Sequence, residues 1–269
     1  MTDEKAYKNQ KEMSEPISAK EIRTIEEVVI LHSSDLHIEH DYTARQHGGD
    51  ATAPLSAVLE TAQQHGADVV VLAGDTFDNH RVRGDLLDCA ARIISDAALP
   101  VVLLPGNHDP AVADSVYHSR PLTESANLHV LGVTHDEAVL FAALDLEIWG
   151  RPHRDYGDMI PLERPRARST RWQIALAHGH YTPIPDRTTR LRPSWLIGDD
   201  ELAATGADYI ALGHWNRPAR VGTAAYYSGS PEYAGTVNVV RLLAAGKIAV
   251  TRARLGSRLL MNQRPVASG

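Results

Sequence analysis

The sequence predicts an α/β fold of two facing sheets with helices outside, and three observations carry that reading. The first half alternates apolar, strand-like runs with stretches of helical spacing. The second half is rich in strand-like runs, several closed by short glycine turns. In both halves, side chains able to bind metal or move protons fall just after buried runs.

Residues 1–27 open with MTDEKAYKNQKEMSEP, polar and poor in large apolar side chains, which predicts a flexible arm. One domain is expected over 28–269. Val28 begins VVILHSSD, an apolar run of the kind that forms a buried strand. LSAVLETAQQHG has helical spacing and ends on a glycine, and ADVVVLAGD is a second buried strand. LLDCAARIISDAAL is again helical, and PVVLLPGNHD is a third strand running into a turn. Such alternation builds βαβ units and a parallel sheet. The strand-like segments NLHVLG, AVLFAALDLEIWG, WQIALAHGHY, ADYIALGHW, ARVGTAAYYSGS and TVNVVRLLAAGKIAVTRARL follow, with one helix near Asp199 to Thr205.

Composition narrows the function classes. No apolar run approaches the ~20 residues that span a bilayer, and the N-terminal stretch lacks the apolar centre of a secretory signal. The single cysteine, Cys89, excludes an internal disulfide, and its setting in LLDCAARII reads as a small buried hydrophobe. A cytoplasmic protein without membrane contact is the expectation. The net charge of -7 argues against non-specific coating of nucleic acid. Charge is uneven, however: from Arg151 to Arg192 nine arginines face four acids, a net +5. That stretch reads either as a solvated loop or as a grip on a phosphodiester backbone.

Five clusters carry the chemistry: Asp35-Leu36-His37, Gly74-Asp75-Thr76-Phe77-Asp78, Gly106-Asn107-His108-Asp109, His178-Gly179-His180 and Gly213-His214-Trp215-Asn216. Singly, each has an ordinary reading as a cap, a turn or a satisfied strand histidine. Together, each at the end of an apolar run, they can converge on one crevice beyond the carboxyl ends of the strands. Their Asp, Asn and His donors suit Mn²⁺ first, with Fe or Zn²⁺ as alternatives. There are more donors than one ion needs; two ions roughly 3.5–4 Å apart, sharing a carboxylate, would use them.

This ordered set, D-x-H, GDxxD, GNHD, a later His and GHxx, resembles the signature of the calcineurin-like metallophosphoesterases over roughly Val28 to Ala234. The resemblance implies a four-layer αββα sandwich of two facing mixed sheets. It also implies a phosphoester hydrolase with two divalent ions, in which a metal-bridging hydroxide attacks. Asp35, His37 and Asp75 correspond to ligands of the first metal, with Asp75 bridging, and Asn107, His178 and His214 to those of the second. His108 corresponds to the family's general acid and Asp78 to the carboxylate that orients it. Where many relatives end in GHxH, this chain has Asn216, a weaker ligand for the first metal. YYSGSPEY (Tyr226 to Tyr233) resembles a segment of the SbcD-type DNA repair exonucleases, which favours phosphodiesters, whether nucleotide or nucleic acid. Those exonucleases continue into a capping and partner-binding region, for which the roughly 35 residues after Tyr233 leave little length. A phosphomonoesterase of the protein-phosphatase kind and a non-catalytic metal-binding scaffold are the rival expectations.

Overall fold

In a computed structural model, residues 27–39, 48–188 and 193–256 are described. The expected arm therefore lies outside the described residues except for Glu27, where the first strand begins. In chain order the N-terminal half runs β1 (Glu27–Ser33), α1 (Ala53–Gln64), β2 (Val69–Ala73), α2 (Gly84–Ala97), β3 (Val101–Leu104), α3 (Arg120–Thr123) and β4 (Leu128–Val130). It continues with β5 (Ala138–Phe141), β6 (Leu146–Gly150), β7 (Trp172–His178), β8 (His180–Tyr181), β9 (Leu196–Ile197), α4 (Asp199–Ala204) and β10 (Tyr209–Gly213). The chain then forms β11 (Ala219–Val221), β12 (Ala225–Tyr227), α5 (Pro231–Ala234), β13 (Thr236–Leu243) and β14 (Lys247–Arg254).

Two six-stranded mixed sheets result, ordered β14-β13-β1-β2-β3-β4 and β11-β12-β10-β7-β6-β5. The centre of each is parallel, as in β1–β2–β3 and β6–β7–β10, and antiparallel strands flank it. This bears out the sandwich of two facing sheets. The halves of the sequence do not map onto the halves of the sandwich, though. The β13–β14 hairpin returns to the first sheet, where β13 pairs antiparallel with β1.

The strands read as unbroken apolar runs because both of their faces are covered. In β1, Val28 and Ile30 point between the sheets, where Ile148, Ile174 and Leu176 join the same cluster. Val29 and Leu31 point outward into the layer that holds Leu55, Leu59 and Ile94 of the helices. Leu87, Ala90, Ala91 and Ile94 recur at helical spacing along the buried stripe of α2. Cys89, on that helix, is half-buried and 3.7 Å from the Thr52 hydroxyl, rather than enclosed in the core as its setting suggested. Buried apolar area of this extent is the main stabilising term, and it makes the carboxyl ends of β1, β2, β3, β7 and β10 a rigid platform.

Candidate metal centre

All five clusters emerge on that platform. Backbone hydrogen bonds zip the first two loops together: Asp35 N–H donates to the Gly74 carbonyl (3.0 Å), His37 N–H to that of Asp75 (3.1 Å) and Ile38 N–H to that of Thr76 (3.0 Å). Asp35, His37 and Asp75 adopt positive φ angles of 55°, 47° and 51°, a conformation costly for side chains of this kind and held here by the surrounding bonds. The third loop docks against Asp75 itself, whose Oδ1 accepts from the His108 N–H at 2.9 Å. Only glycine tolerates that approach, since a Cβ on Gly106 would sit 2.2 Å from Asp75 Oδ1. Gly213 is equally constrained, because its Cβ would lie 1.9 Å from the Ala73 carbonyl oxygen.

The second sheet delivers the histidines. His178 Nδ1–H donates to the Ala73 carbonyl at 2.9 Å, which turns Nε2 toward Asp75 Oδ2 and Asn107 Oδ1, each at 3.0 Å. His214 Nδ1 stands 3.2 Å from the same Asn107 oxygen, and its backbone N–H donates to the Asp35 carboxylate at 2.9 Å. Three sets of potential ligands follow, Asp35–His37–Asp75, Asp75–His178–His214 and, more exposed, His37–Asp78–His108, and within each set the donor atoms lie within 4.8 Å of one another. Asp75 belongs to the first two.

Electrostatics mark this as a place for positive charge. Burial opposes ionisation of Asp75, yet His178, His108 and His37 outweigh it and hold the carboxyl well below the usual range. Burial likewise disfavours charge on His178, but Asp75 and Asp35 overcome it and push the pKa up to about 9. His214 is lowered to about 3 by burial and then by His178. Lone pairs of Asp75, Asn107, His178 and His214 thus meet in one enclosed space. They need a cation between them, be it a proton on His178 or a metal ion. The oxygen- and nitrogen-rich donor set fits a divalent metal.

Residues 28–218 match the model of the calcineurin-like phosphoesterase family. The chain belongs to that family, whose members hydrolyse phosphoester bonds. Among curated relatives it is 26% identical over 242 residues to the SbcD chain of the SbcCD nuclease of Bacillus subtilis, covering 75% of this chain and 61% of the relative. It is 25% identical over 239 residues to the SbcD chain from Escherichia coli K12, covering 75% and 60%. The DNA double-strand break repair protein Mre11 of Archaeoglobus fulgidus is 27% identical over 235 residues, covering 75% and 49%. The chain thus spans about 60% or less of the length of these relatives. In fold it is similar to TT1561 of Thermus thermophilus, with a TM-score of 0.50 at 14% identity over 84% of this chain and 99% of that one.

Two members of the expected calcineurin-like site are placed differently from the sequence reading. His108 Nδ1–H donates to the main-chain carbonyl of Asp78 at 3.1 Å, while the Asp78 carboxylate stands 3.8 Å from it and 3.4 Å from His37 Nδ1. The residue expected to orient His108 lies beside it, with its main-chain carbonyl nearer to Nδ1 than its carboxylate. Asn216 is exposed and, among the described residues, its side chain makes no hydrogen bond to the rest of the site.

Asp109 was not read as a site residue, yet it is fully buried and organises two loops at once. Its carboxylate accepts from Phe77 N–H (2.9 Å), Gly106 N–H (2.8 Å) and the Tyr117 hydroxyl (2.5 Å). Its place as the fourth residue of GNHD was the available signal. Asp109→Ala would orphan three buried donors at about 1–3 kcal/mol each, so we expect at least about 3 kcal/mol of destabilisation in urea unfolding.

The arginine-rich stretch is largely committed to the fold. Arg151 pairs with Glu163, Arg154 with Glu137, Arg168 with Asp208 and Arg187 with Glu201. Arg166 donates at 2.7 Å to Glu147, which is 2% exposed and also accepts from Gln173. These pairs stitch the β6–β7 and β9 connections to the second sheet, which favours a structural role for this stretch over a grip on a phosphodiester backbone. Arg190 and Arg192 lie outside the described residues.

Proposed function

We propose that this chain is a metal-dependent phosphodiesterase of the nuclease-like kind, acting on a nucleotide or nucleic-acid ester. The observation that carries the reading is the sharing of Asp75 between two adjoining sets of ligands. Asp35, His37 and Asp75 would hold one divalent ion, and Asp75, Asn107, His178 and His214 a second, with Mn²⁺ the preferred metal and Fe or Zn²⁺ the alternatives. When bound, such a pair activates a shared water as nucleophile and offsets charge on the phosphoryl oxygens. The chain's own residues complete the reaction. The Ala73 carbonyl turns His178 Nε2 toward Asp75 and Asn107, where it would hold a metal, an outer contact of the kind that fixes a ligand's tautomer. His108, with Nδ1 engaged by the Asp78 carbonyl, presents Nε2 to protonate the leaving oxygen. The SbcD and Mre11 relatives support the diester preference, and a DNA end is then a substrate to test. Among the described residues no helix is long and apolar enough to cross a membrane.

The exposure of Asn216 favours one second reading, a phosphomonoesterase whose first ion has three protein ligands. Bis(p-nitrophenyl) phosphate and p-nitrophenyl phosphate, each with added Mn²⁺, separate the two. Faster turnover of the diester supports the nuclease-like reading, and faster turnover of the monoester overturns it. A metal-loaded protein that turns over neither is a scaffold.

With three firm protein ligands, the first ion should bind more weakly than the second. Purified protein should then hold fewer than two metals per chain, and Mn²⁺ should raise its activity. Asn216→His should lower the Mn²⁺ concentration giving half-maximal rate by roughly tenfold, the scale of outer-ligand effects on affinity. Two ions that survive chelator dialysis of the native protein would defeat this expectation.

A further inference from the structure

His180 lies two residues beyond His178, on the exposed rim of the same crevice, with its ring centroid 6.4 Å from that of His214. Its surroundings are built with unusual care for an exposed side chain. The indole Nε1–H of Trp215 donates to His180 Nδ1 at 3.0 Å. An indole nitrogen only donates, so Nδ1 must be the bare, accepting nitrogen, and the neutral ring carries its proton on Nε2.

The backbone is held just as firmly. His180 N–H donates to the Trp195 carbonyl at 3.0 Å, inside the short β8–β9 pairing. The Tyr227 hydroxyl donates to the Gly179 carbonyl (2.7 Å) and accepts from the Tyr181 N–H (2.9 Å), gripping the chain on either side of His180. Trp215 in turn lies flat on the Tyr227 ring, with centroids 4.3 Å apart and planes 8° from parallel. One tyrosine therefore fixes both the backbone of His180 and the tryptophan that sets its tautomer. Among the described residues nothing accepts from Nε2–H.

We propose that His180 is a substrate-binding residue whose Nε2–H donates to a phosphoryl oxygen of the ester held at the metal centre; this rests on the phosphoesterase reading above. The same geometry removes His180 from the ligand set. One ring nitrogen is occupied by Trp215 and the other bears a proton, so neither lone pair is free for an ion. A donor fixed in advance, aimed at an anionic oxygen, needs no reordering when substrate arrives. This also accounts for Trp215, between His214 and Asn216, which serves the crevice through His180 instead of stacking on a base.

The test compares the native chain with His180→Ala, His180→Gln and Trp215→Phe, all loaded with Mn²⁺ and assayed on bis(p-nitrophenyl) phosphate, with metal content measured in parallel. His180→Ala should lower kcat/KM about tenfold to a hundredfold, the range for a hydrogen bond to a charged group, and keep its metals. His180→Gln retains an N–H on a side chain of similar reach and should recover part of the loss. Trp215→Phe keeps the ring on Tyr227 but deletes the N–H, and should fall between native and His180→Ala. Native kcat/KM in His180→Ala overturns the proposal, as does loss of metal in that variant, which would make His180 a ligand. A His180→Gln no better than alanine also overturns it, and the glutamine and phenylalanine variants decide the matter should the alanine form prove unfolded. A native chain inactive on the ester despite full metal loading fails the phosphoesterase reading itself, and the proposal goes with it.

Discussion

Asp75→Asn should abolish turnover and lower metal content by at least one ion per chain. Asp75 is 2% exposed and lies in two ligand sets, and its two oxygens have separate tasks. Oδ2 faces His178 Nε2 at 3.0 Å, while Oδ1 accepts from the His108 N–H at 2.9 Å. Asparagine matches the size but removes the negative charge and turns an NH₂ toward one of these partners. Two close cations would lose the anion between them, and their repulsion would go uncompensated. Changing residues that merely support a ligand costs 10–100-fold in affinity or activity, so losing the shared ligand should cost at least on the order of 10²-fold in kcat/KM. Metal analysis and bis(p-nitrophenyl) phosphate kinetics on one preparation test both halves. Two ions per chain together with native turnover would end the bridging assignment.

Much of this centre is legible before folding, for a physical reason. A buried strand must end where its backbone can be solvated, so polar residues after an apolar run sit at the edge of the core. Asp35, Asp75, Asn107, His178 and His214 each follow such a run, and the structure brings all five within reach of each other. Sheet membership was harder to read. Val237, Val239, Val240 and Leu242 of β13 are buried, as are the strand residues of either sheet, and periodicity does not say which neighbour a strand will find. Pairing with β1 decides it, and that contact spans most of the chain. AVLFAALDLEIWG looked like one strand-like segment, but Asp145 takes a φ of 47° and folds it into the β5–β6 hairpin.

The site residues that escaped notice share a feature: their partners are backbone groups or distant acids. Asp109 accepts from the main chain of its own loop and of the loop after β2, and no spacing rule announces that. Arg166 looks like free positive charge in the sequence because Glu147 lies 19 residues away, on a strand whose burial only the fold reveals. Asp78 was read for its carboxylate, whereas its carbonyl is the nearer partner of His108. Side-chain identity is printed in a sequence, and main-chain direction is not.

That last distinction shapes what should happen at His108. His108→Ala should keep both metals, because the backbone N–H that docks on Asp75 survives the substitution. The ring it removes is 45% exposed at the mouth of the crevice, so fold stability should hardly change. Turnover should nonetheless fall on the order of 10²–10⁴-fold, the usual contribution of a positioned general acid. The deficit should shrink for a leaving group such as p-nitrophenolate, which departs without protonation, and grow for an alkyl ester. Equal losses across leaving groups would assign His108 to stabilising phosphoryl charge instead. Asp78 supplies the contrast. Asp78→Asn leaves the carbonyl that accepts from His108 Nδ1–H in place, so its loss should be far smaller than that of His108→Ala. A carboxylate that oriented the ring directly would make the two deficits comparable. Measuring both variants on one pair of esters therefore separates backbone orientation from side-chain orientation, and general-acid catalysis from electrostatic stabilisation.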